Sequence, residues 1–260
     1  MLFTIITPSL NYGRFLGECL ESVASQEGVT FEHLVIDGGS TDDSALVAAR
    51  FPHVTWSQEP DHGASEAINK GFDRARGDWV MWLNADDILM PGTLLKVAEY
   101  VRSHPEVDVA HGDCVFVGSD RLLIRRKYDH PMDEMTLLFG GCWIPSTSTF
   151  LSRRILVDGK RLDQRLRNSF DWEFYLKLLR SGYRFGYLAE PLAEFRWHER
   201  NLSVLHDTRR RAEDRQLQRR HLAERGWPEF LGWRLVLALL RPVLKVWRVA
   251  LRWRTHRRLH

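Results

Sequence analysis

Two adjacent carboxylates, Asp86 and Asp87, stand where an apolar run ends, in WVMWLNADDILMP over residues 79–91. Trp79, Val80, Met81, Trp82 and Leu83 are apolar at every position, as a strand covered on both faces must be. Like charges at the mouth of such a strand repel one another, and desolvation penalises both. A divalent cation relieves the repulsion. Mg²⁺ or Mn²⁺ takes oxygen ligands, commonly one or two carboxylates completed by substrate phosphates. The alternative at this point is that Asp86 or Asp87 caps the helix opened by Pro91.

The same kind of residue recurs at other predicted strand ends. Short apolar runs at residues 3–7, 31–36 and 54–57 lead into Thr7, Asp37 and Asp61. Helical spacing separates the runs: Phe15, Leu16, Cys19, Leu20 and Val23, then residues 41–50, then Ala64, Ala67, Ile68, Phe72 and Ala75. Strands alternating with helices over about 90 residues, with short connections, predict a doubly wound parallel sheet. Such sheets bind ligands outside the carboxyl ends of their strands, which gathers Thr7, Asp37, Asp61, Asn84, Asp86 and Asp87 at one rim. Neither GxGxxG nor GxxxxGK[ST] occurs, which speaks against a dinucleotide site and a P-loop.

Beyond Pro91 the pattern is less regular. A helix is predicted to Val101, strand from Val107 to Val117, a short helix from Met132 to Phe139, and strand from Thr147 to Leu151. Phe170 to Ser181 is amphipathic, with Asp171 at its start, and Phe185 to Trp197 reads as extended, broken at Pro191, and ends in His198. Cys19, Cys114 and Cys142 form no CxxC pair and are expected to be buried thiols. Trp143 and Trp172 suit core packing.

Composition is that of an ordinary globular chain, 44% hydrophobic and 27% charged. Residues 227–260 hold eight Lys or Arg against one acid, which leaves residues 1–226 mildly acidic in a chain of net charge +3. The chain opens directly on LFTIITP, from which no secretory leader is expected, and no apolar run reaches the ~20 residues of a spanning helix. DTRRRAEDRQLQRRHLAER predicts a solvent-exposed helix of mixed charge over 206–226. After Gly226 an α-helix would align Arg234, Arg241, Lys245, Arg248 and Arg252 in one stripe, among Leu, Val and Trp, with Pro242 as a possible kink and Arg254 off the stripe. Such a helix is expected to lie on an anionic membrane surface, its apolar face buried and its basic stripe among headgroups. Packing on its own domain or on a partner subunit is the alternative, and the apolar richness argues against nucleic acid.

TPSLNYGRFLGECLESV, VIDGGSTDDS, EPDHGASEAINKGFDRARGDWVMWLNADDILMPG, FDWEFYLKLLRSGYRF and FRWHERNLS, in that order, resemble a family 2 glycosyltransferase of GT-A fold over about residues 3–205. The resemblance implies residues 1–205 as the transferase domain, about 1–105 being the nucleotide-sugar half and 106–205 the acceptor half, with 206–260 a helical tail. It implies inverting, Mn²⁺- or Mg²⁺-dependent transfer from a nucleotide sugar, most commonly a UDP-sugar, to a lipid-linked or cell-surface glycan at the cytoplasmic membrane face. Donor contacts would fall to Thr7, Pro8, Asp37, Asp61, Lys70, Asn84, Ala85 and Asp86. NADD matches the DxD-type motif with Asn84 replacing its first acid. Metal contacts would fall to Asp86, Asp87 and His198. Asp171 matches the catalytic base, with Glu173 its nearest rival, and the role of Glu66 stays open. Inversion needs such a carboxylate to take the acceptor proton. A sugar-nucleotide pyrophosphorylase would want a Gly-rich loop where TPSLNYG stands; a catalytically silent relative would not need Asp86, Asp171 and His198 together.

Overall fold

A computed structural model describes residues 1–199, 201, 207–224 and 233–256. Its first half runs β1 (Leu2–Ser9), α1 (Gly13–Ala24), β2 (Thr30–Asp37), α2 (Ser44–Ala48), β3 (Val54–Gln58), α3 (Ala64–Arg74) and β4 (Trp79–Trp82). The strands pair in parallel in the order β3-β2-β1-β4. This is the doubly wound half expected from the alternating pattern. β4 is buried on both faces because Val80 and Trp82 join one core cluster, whereas Trp79, Met81 and Leu83 join the other. Gly71 lets α3 lie close on the sheet: a Cβ there would come within 2.4 Å of the Ile6 side chain.

The second half adds β5 (Ile88–Leu89), α4 (Thr93–Ser103), β6 (Val109–Val117), β7 (Leu123–Lys127), α5 (Glu134–Gly140), a 3₁₀ turn (Ser146–Ser148), β8 (Thr149–Ser152), α6 (Arg153–Val157), α7 (Phe170–Arg180) and β9 (Phe185–Arg196). Here pairing is mixed. β8 runs antiparallel to β4 and β6, β9 lies parallel to β6, and β5 closes antiparallel on β9. β9 is not broken at Pro191. Its register against β6 shifts there instead, so a bulge absorbs the residue that cannot donate to the ladder.

Two helices follow, α8 (Asp207–Glu224) and α9 (Trp233–His256). The expected domain boundary at 205/206 lies outside the described residues. α8 is not the solvated helix that its charges predict. Glu213, Leu217, Gln218, His221 and Leu222 are buried, and the Glu213 carboxylate accepts the backbone N–H groups of Arg167, Asn168 and Ser169 at 3.1, 2.9 and 3.1 Å. An acid on α8 thus satisfies the donors leading into α7, and the mixed charge pattern concealed that buried face.

α9 is continuous through Pro242. The side chains of Arg234, Arg241, Lys245 and Arg254 lie outside the described residues. Arg248 and Arg252 are half-buried and turn toward the domain, Arg248 lying 5.3 Å over the Trp143 ring, while Val243, Val246, Trp247, Val249 and Trp253 are exposed. The orientation expected of an interfacial helix is therefore reversed at these positions. Long arginine stems cover the aromatic surface, and the apolar face points outward.

Candidate active site

The sequence-predicted residues form three groups along the carboxyl ends of the strands. Asp37 ends β2 and is fully buried. Its Oδ1 accepts the N–H groups of Gly39 and Ser40 at 3.0 and 2.7 Å, and its Oδ2 accepts the Ser40 hydroxyl at 2.5 Å. Asp61 closes over this turn. A Cβ on Gly38 would meet Asp61 Oδ2 at 2.5 Å, so glycine is required by close approach. Burial raises the Asp61 carboxyl above its ordinary range, against the opposing Gly63 N–H and Lys70 charge. Lys70 Nζ donates to the Pro60 carbonyl at 2.7 Å and pairs with Glu66 at 3.2 Å, and Glu66 also accepts from His62. Glu66 thereby gains a definite role: it holds Lys70 against the EPDHG turn.

Asn11, with φ of 57°, latches the neighbouring loops. Its N–H donates to Ser40 Oγ at 2.7 Å, and its Oδ1 accepts the Thr41 N–H at 2.9 Å. Thr7 departs from expectation. Its hydroxyl is buried between His33 Nε2 (2.9 Å) and Cys19 Sγ (3.9 Å), below the rim, because the alternation of β1 turns it inward. Ala85 also packs inward, with Leu16, Leu20 and Val35. Thr7 and Ala85 can offer only backbone to a ligand, and Pro8 follows at the partly buried end of β1.

The second group joins residues more than a hundred positions apart. Asp86 Oδ2 accepts from His198 Nε2 at 2.8 Å and from Asn201 Nδ2 at 3.2 Å. Arg196, 1% exposed, locks this corner: Nε donates to the Asp86 carbonyl, one terminal N to the Ser119 carbonyl and the other to Glu18, each at 2.9 Å. Asp87 is not on the rim with Asp86. Its Oδ1 accepts the Arg196 N–H at 3.0 Å, and its Oδ2 accepts the Asn84 amide at 2.9 Å and the Thr147 hydroxyl. Burial, and then the charge of Asp86, hold the Asp87 carboxyl well above the usual range. Asp87 therefore ties the end of β4 to β9 and to the turn at Thr147, and Asn84 serves that tie.

Among the described residues, no group of three or more His, Cys, Asp or Glu is arranged to hold a metal. Asp86 and His198 nevertheless suit a cation that needs only two protein ligands. The unlike donors converge at hydrogen-bond distance, and such ions are commonly completed by water and phosphate oxygens. Arg196 and Asn201 were legible only as parts of the FRWHERNLS block, where His198 alone drew attention.

Asp171 forms the third group, in the first turn of α7, lining a cavity of about 990 Å³. Oδ1 accepts the Trp172 N–H at 2.7 Å and Oδ2 faces the Cys142 thiol at 3.8 Å. Burial pushes its carboxyl up to about 6, with the Trp172 N–H opposing and the Asp214 charge adding to the rise. Glu173 faces away, paired with Arg220 at 2.9 Å and Lys177 at 3.4 Å. Asp171 thus satisfies one first-turn donor of α7, while Glu213 takes the donors ahead of the helix. Trp143 and Trp172 are both buried in the core, as expected, and both border the cavity, the Trp172 indole donating to the Leu137 carbonyl. Cys19 and Cys114 are buried as expected, but Cys142 is exposed beside Asp171. A second cavity of about 530 Å³ opens at Tyr12, Phe15 and His198, and Trp197 lines both. Asp171 and His198 thus border adjoining spaces that share one aromatic wall.

The family described as glycosyl transferase family 2 matches residues 4–164. The PGL/p-HBAD biosynthesis glycosyltransferase of Mycobacterium tuberculosis is 34% identical over 145 residues, covering 50% of this chain and 57% of the relative. The chain thus spans little more than half the length of that curated relative. Among solved structures, S. aureus TarS 1-349 in complex with UDP-GlcNAc superposes with a TM-score of 0.64 at 20% identity, covering 77% of this chain and 60% of that one. The mannosyltransferase PcManGT of Pyrobaculum calidifontis, in complex with GDP-Man and Mn²⁺, gives a TM-score of 0.60 at 16% identity, covering 95% and 83%. These likenesses establish a shared GT-A fold.

Proposed function

The chain belongs to glycosyl transferase family 2, and from that premise we propose that it transfers a sugar from a nucleoside-diphosphate donor to an acceptor hydroxyl with inversion. The observation that carries the reading is the meeting of Asp86 Oδ2 and His198 Nε2 at 2.8 Å, at the mouth of the central strand. Asp37, Asp61 and Lys70 would receive the nucleoside side of the donor, and the backbone at Thr7, Pro8, Asn84 and Ala85 would complete its cradle. Asp86 and His198 would hold Mn²⁺ or Mg²⁺, which when bound supplies charge stabilisation to a departing diphosphate. Asp87 contributes by fixing Asp86 rather than as a ligand.

Asp171 would take the proton of the acceptor hydroxyl as that oxygen bonds to the anomeric carbon and the nucleoside diphosphate leaves. A carboxyl raised to about 6 is still ionised at neutral pH and is a stronger base than an ordinary aspartate. Neighbours bound to UDP-GlcNAc and to GDP-Man support a nucleotide-sugar donor, and a hexose or N-acetylhexosamine as the sugar.

Among the described residues no helix is long and apolar enough to cross a membrane. The exposed Val, Trp face of α9 supports peripheral contact with a membrane, at the inner face where nucleotide sugars are used, and a lipid-linked or cell-surface glycan as acceptor. Calorimetry with UDP and Mn²⁺ tests the donor assignment. The Asp86→Ala and His198→Ala variants should each weaken metal-dependent UDP binding by about tenfold or more. Unchanged binding in both would remove the pair from the site.

A further inference from the structure

The segment that leads to Asp171 first runs along α3. Arg161 pairs with Asp73 of that helix at 2.7 Å, and the Asn69 side chain exchanges two hydrogen bonds with the Leu162 backbone, each at 3.0 Å. Asn69 is buried, so both bonds are sheltered from water and pin the segment to the helix. Further along, the Arg167 backbone N–H is fixed by Glu213 at 3.1 Å, while its side chain reaches back to the turn between β3 and α3. A Cβ on Gly63 would lie 3.5 Å from Arg167 Cζ, with Nη1 nearer still. Gly63, at φ of 135°, therefore meets the guanidinium with bare backbone.

No intramolecular partner holds that guanidinium in place. Among the described residues its side chain makes no hydrogen bond or ion pair. The carboxylates of the turn are engaged elsewhere: Asp61 Oδ1 accepts the Gly63 N–H at 2.8 Å, and Glu66 holds His62 and Lys70. Gly63 also opens α3, whose N-terminal end is positive and repels a cation. The other arginines of the segment are compensated, Arg161 by Asp73 and Arg165 by Asp163, each at 2.7 Å. Arg167 thus brings an uncompensated charge to the turn that carries Asp61 and Lys70. Lys70, 3.2 Å from Glu66, is itself neutralised there. A nucleoside diphosphate carries more than one negative charge, and a guanidinium answers it with a planar fork of N–H donors.

We propose that Arg167 binds the diphosphate of the donor, reaching it over Gly63 from the segment that carries Asp171. The proposal rests on the glycosyl-transfer reading and adds a donor contact supplied by the second half of the chain. Asp171 follows closely on the same backbone, so a donor held by Arg167 also fastens the approach to the base.

The test is calorimetry on the full chain with Mn²⁺ at saturation. The probes are UDP and uridine, with GDP and guanosine beside them, on wild type and on Arg167→Gln, Arg167→Lys and Arg165→Gln. Arg167→Gln should weaken the diphosphate about tenfold or more and the nucleoside by less than about twofold, since only the former carries the charged group. Arg167→Lys, which keeps the charge without the fork, should recover part of the loss. Arg165→Gln removes a charge from the same segment without reaching the turn, and should stay within about twofold of wild type. The Arg167 side chain is exposed, so an unchanged melting temperature is expected beside the loss of binding. The bound diphosphate should slow amide exchange over residues 162–170 in wild type and not in Arg167→Gln. Undiminished diphosphate binding in Arg167→Gln, an equal loss for the nucleoside, or an equal loss in Arg165→Gln would overturn the assignment. Failure of the transfer reading shows separately, as a wild-type chain that binds neither diphosphate.

Discussion

Replacing Asp171 by Asn should stabilise the protein while abolishing transfer. The Asp171 carboxyl is held at about 6 chiefly by burial, against an ordinary value of 3.8. A raised carboxyl binds its proton more tightly in the folded chain than in the unfolded one. The site therefore carries no penalty below about pH 3.8, the penalty grows as pH rises toward 6, and it is complete above that. The difference corresponds to ~3 kcal/mol at neutral pH, an upper figure because the side chain retains some contact with solvent. Asn keeps an oxygen for the Trp172 N–H and removes the charge.

For a chain of this size ~1 kcal/mol moves the melting temperature by about 2–4 °C, so a rise on the order of 5 °C is expected at pH 7.5 and almost none at pH 3.5, provided the protein remains folded there. Scanning calorimetry of both proteins across that range supplies the measurement, beside nucleotide-sugar consumption with acceptor present. Wild-type transfer should also rise with pH through about 6, as the base loses its proton. A variant that melts lower at neutral pH would refute the burial argument, and one that retains full transfer would refute the role of base.

Glu213→Ala removes the acceptor of three backbone N–H groups ahead of α7. A loss of about 2–4 kcal/mol in urea unfolding and a lower transfer rate with unchanged UDP affinity are expected, because the helix carrying Asp171 loosens. Asp87→Ala strands the Arg196 N–H, the Asn84 amide and the Thr147 hydroxyl, and should cost about 3 kcal/mol or more in the same assay. Trp247→Glu with Trp253→Glu should release the protein from phosphatidylglycerol liposomes in a sedimentation assay. Cosedimentation as strong as wild type would rule out the outer face of α9 as the contact.

Much of the first half was legible in the sequence, because local chemistry and topology agree there. Period-two and period-3.6 hydrophobicity set β1 to β4 and their helices, and parallel winding alone carries Asp37, Asp61 and Asp86 to one edge. Side-chain direction at the strand ends was not legible. One residue decides whether a group reaches the rim or the core, and so Thr7 and Ala85 turned inward and Asp87 became a tie rather than a ligand.

The second half depended on contacts between residues distant in sequence, for which periodicity carries no signal. Nothing in DTRRRAEDRQLQRR distinguishes Glu213 from its solvated neighbours until three N–H groups from the segment before α7 converge on it. The basic stripe of the last helix was real in its spacing, yet its direction was decided by what it met: Trp143 and an acid-bearing wall drew Arg248 and Arg252 inward. The sequence by itself determined which carboxylates, imidazole and amine stand at the strand ends and at the start of α7. Tertiary structure alone decided that Asp86 and His198 share a hydrogen bond across 112 positions and that Asp171 lies in a cavity ringed by arginine. Partner choice for a charge is settled by distance and burial, and both exist only once the chain has folded.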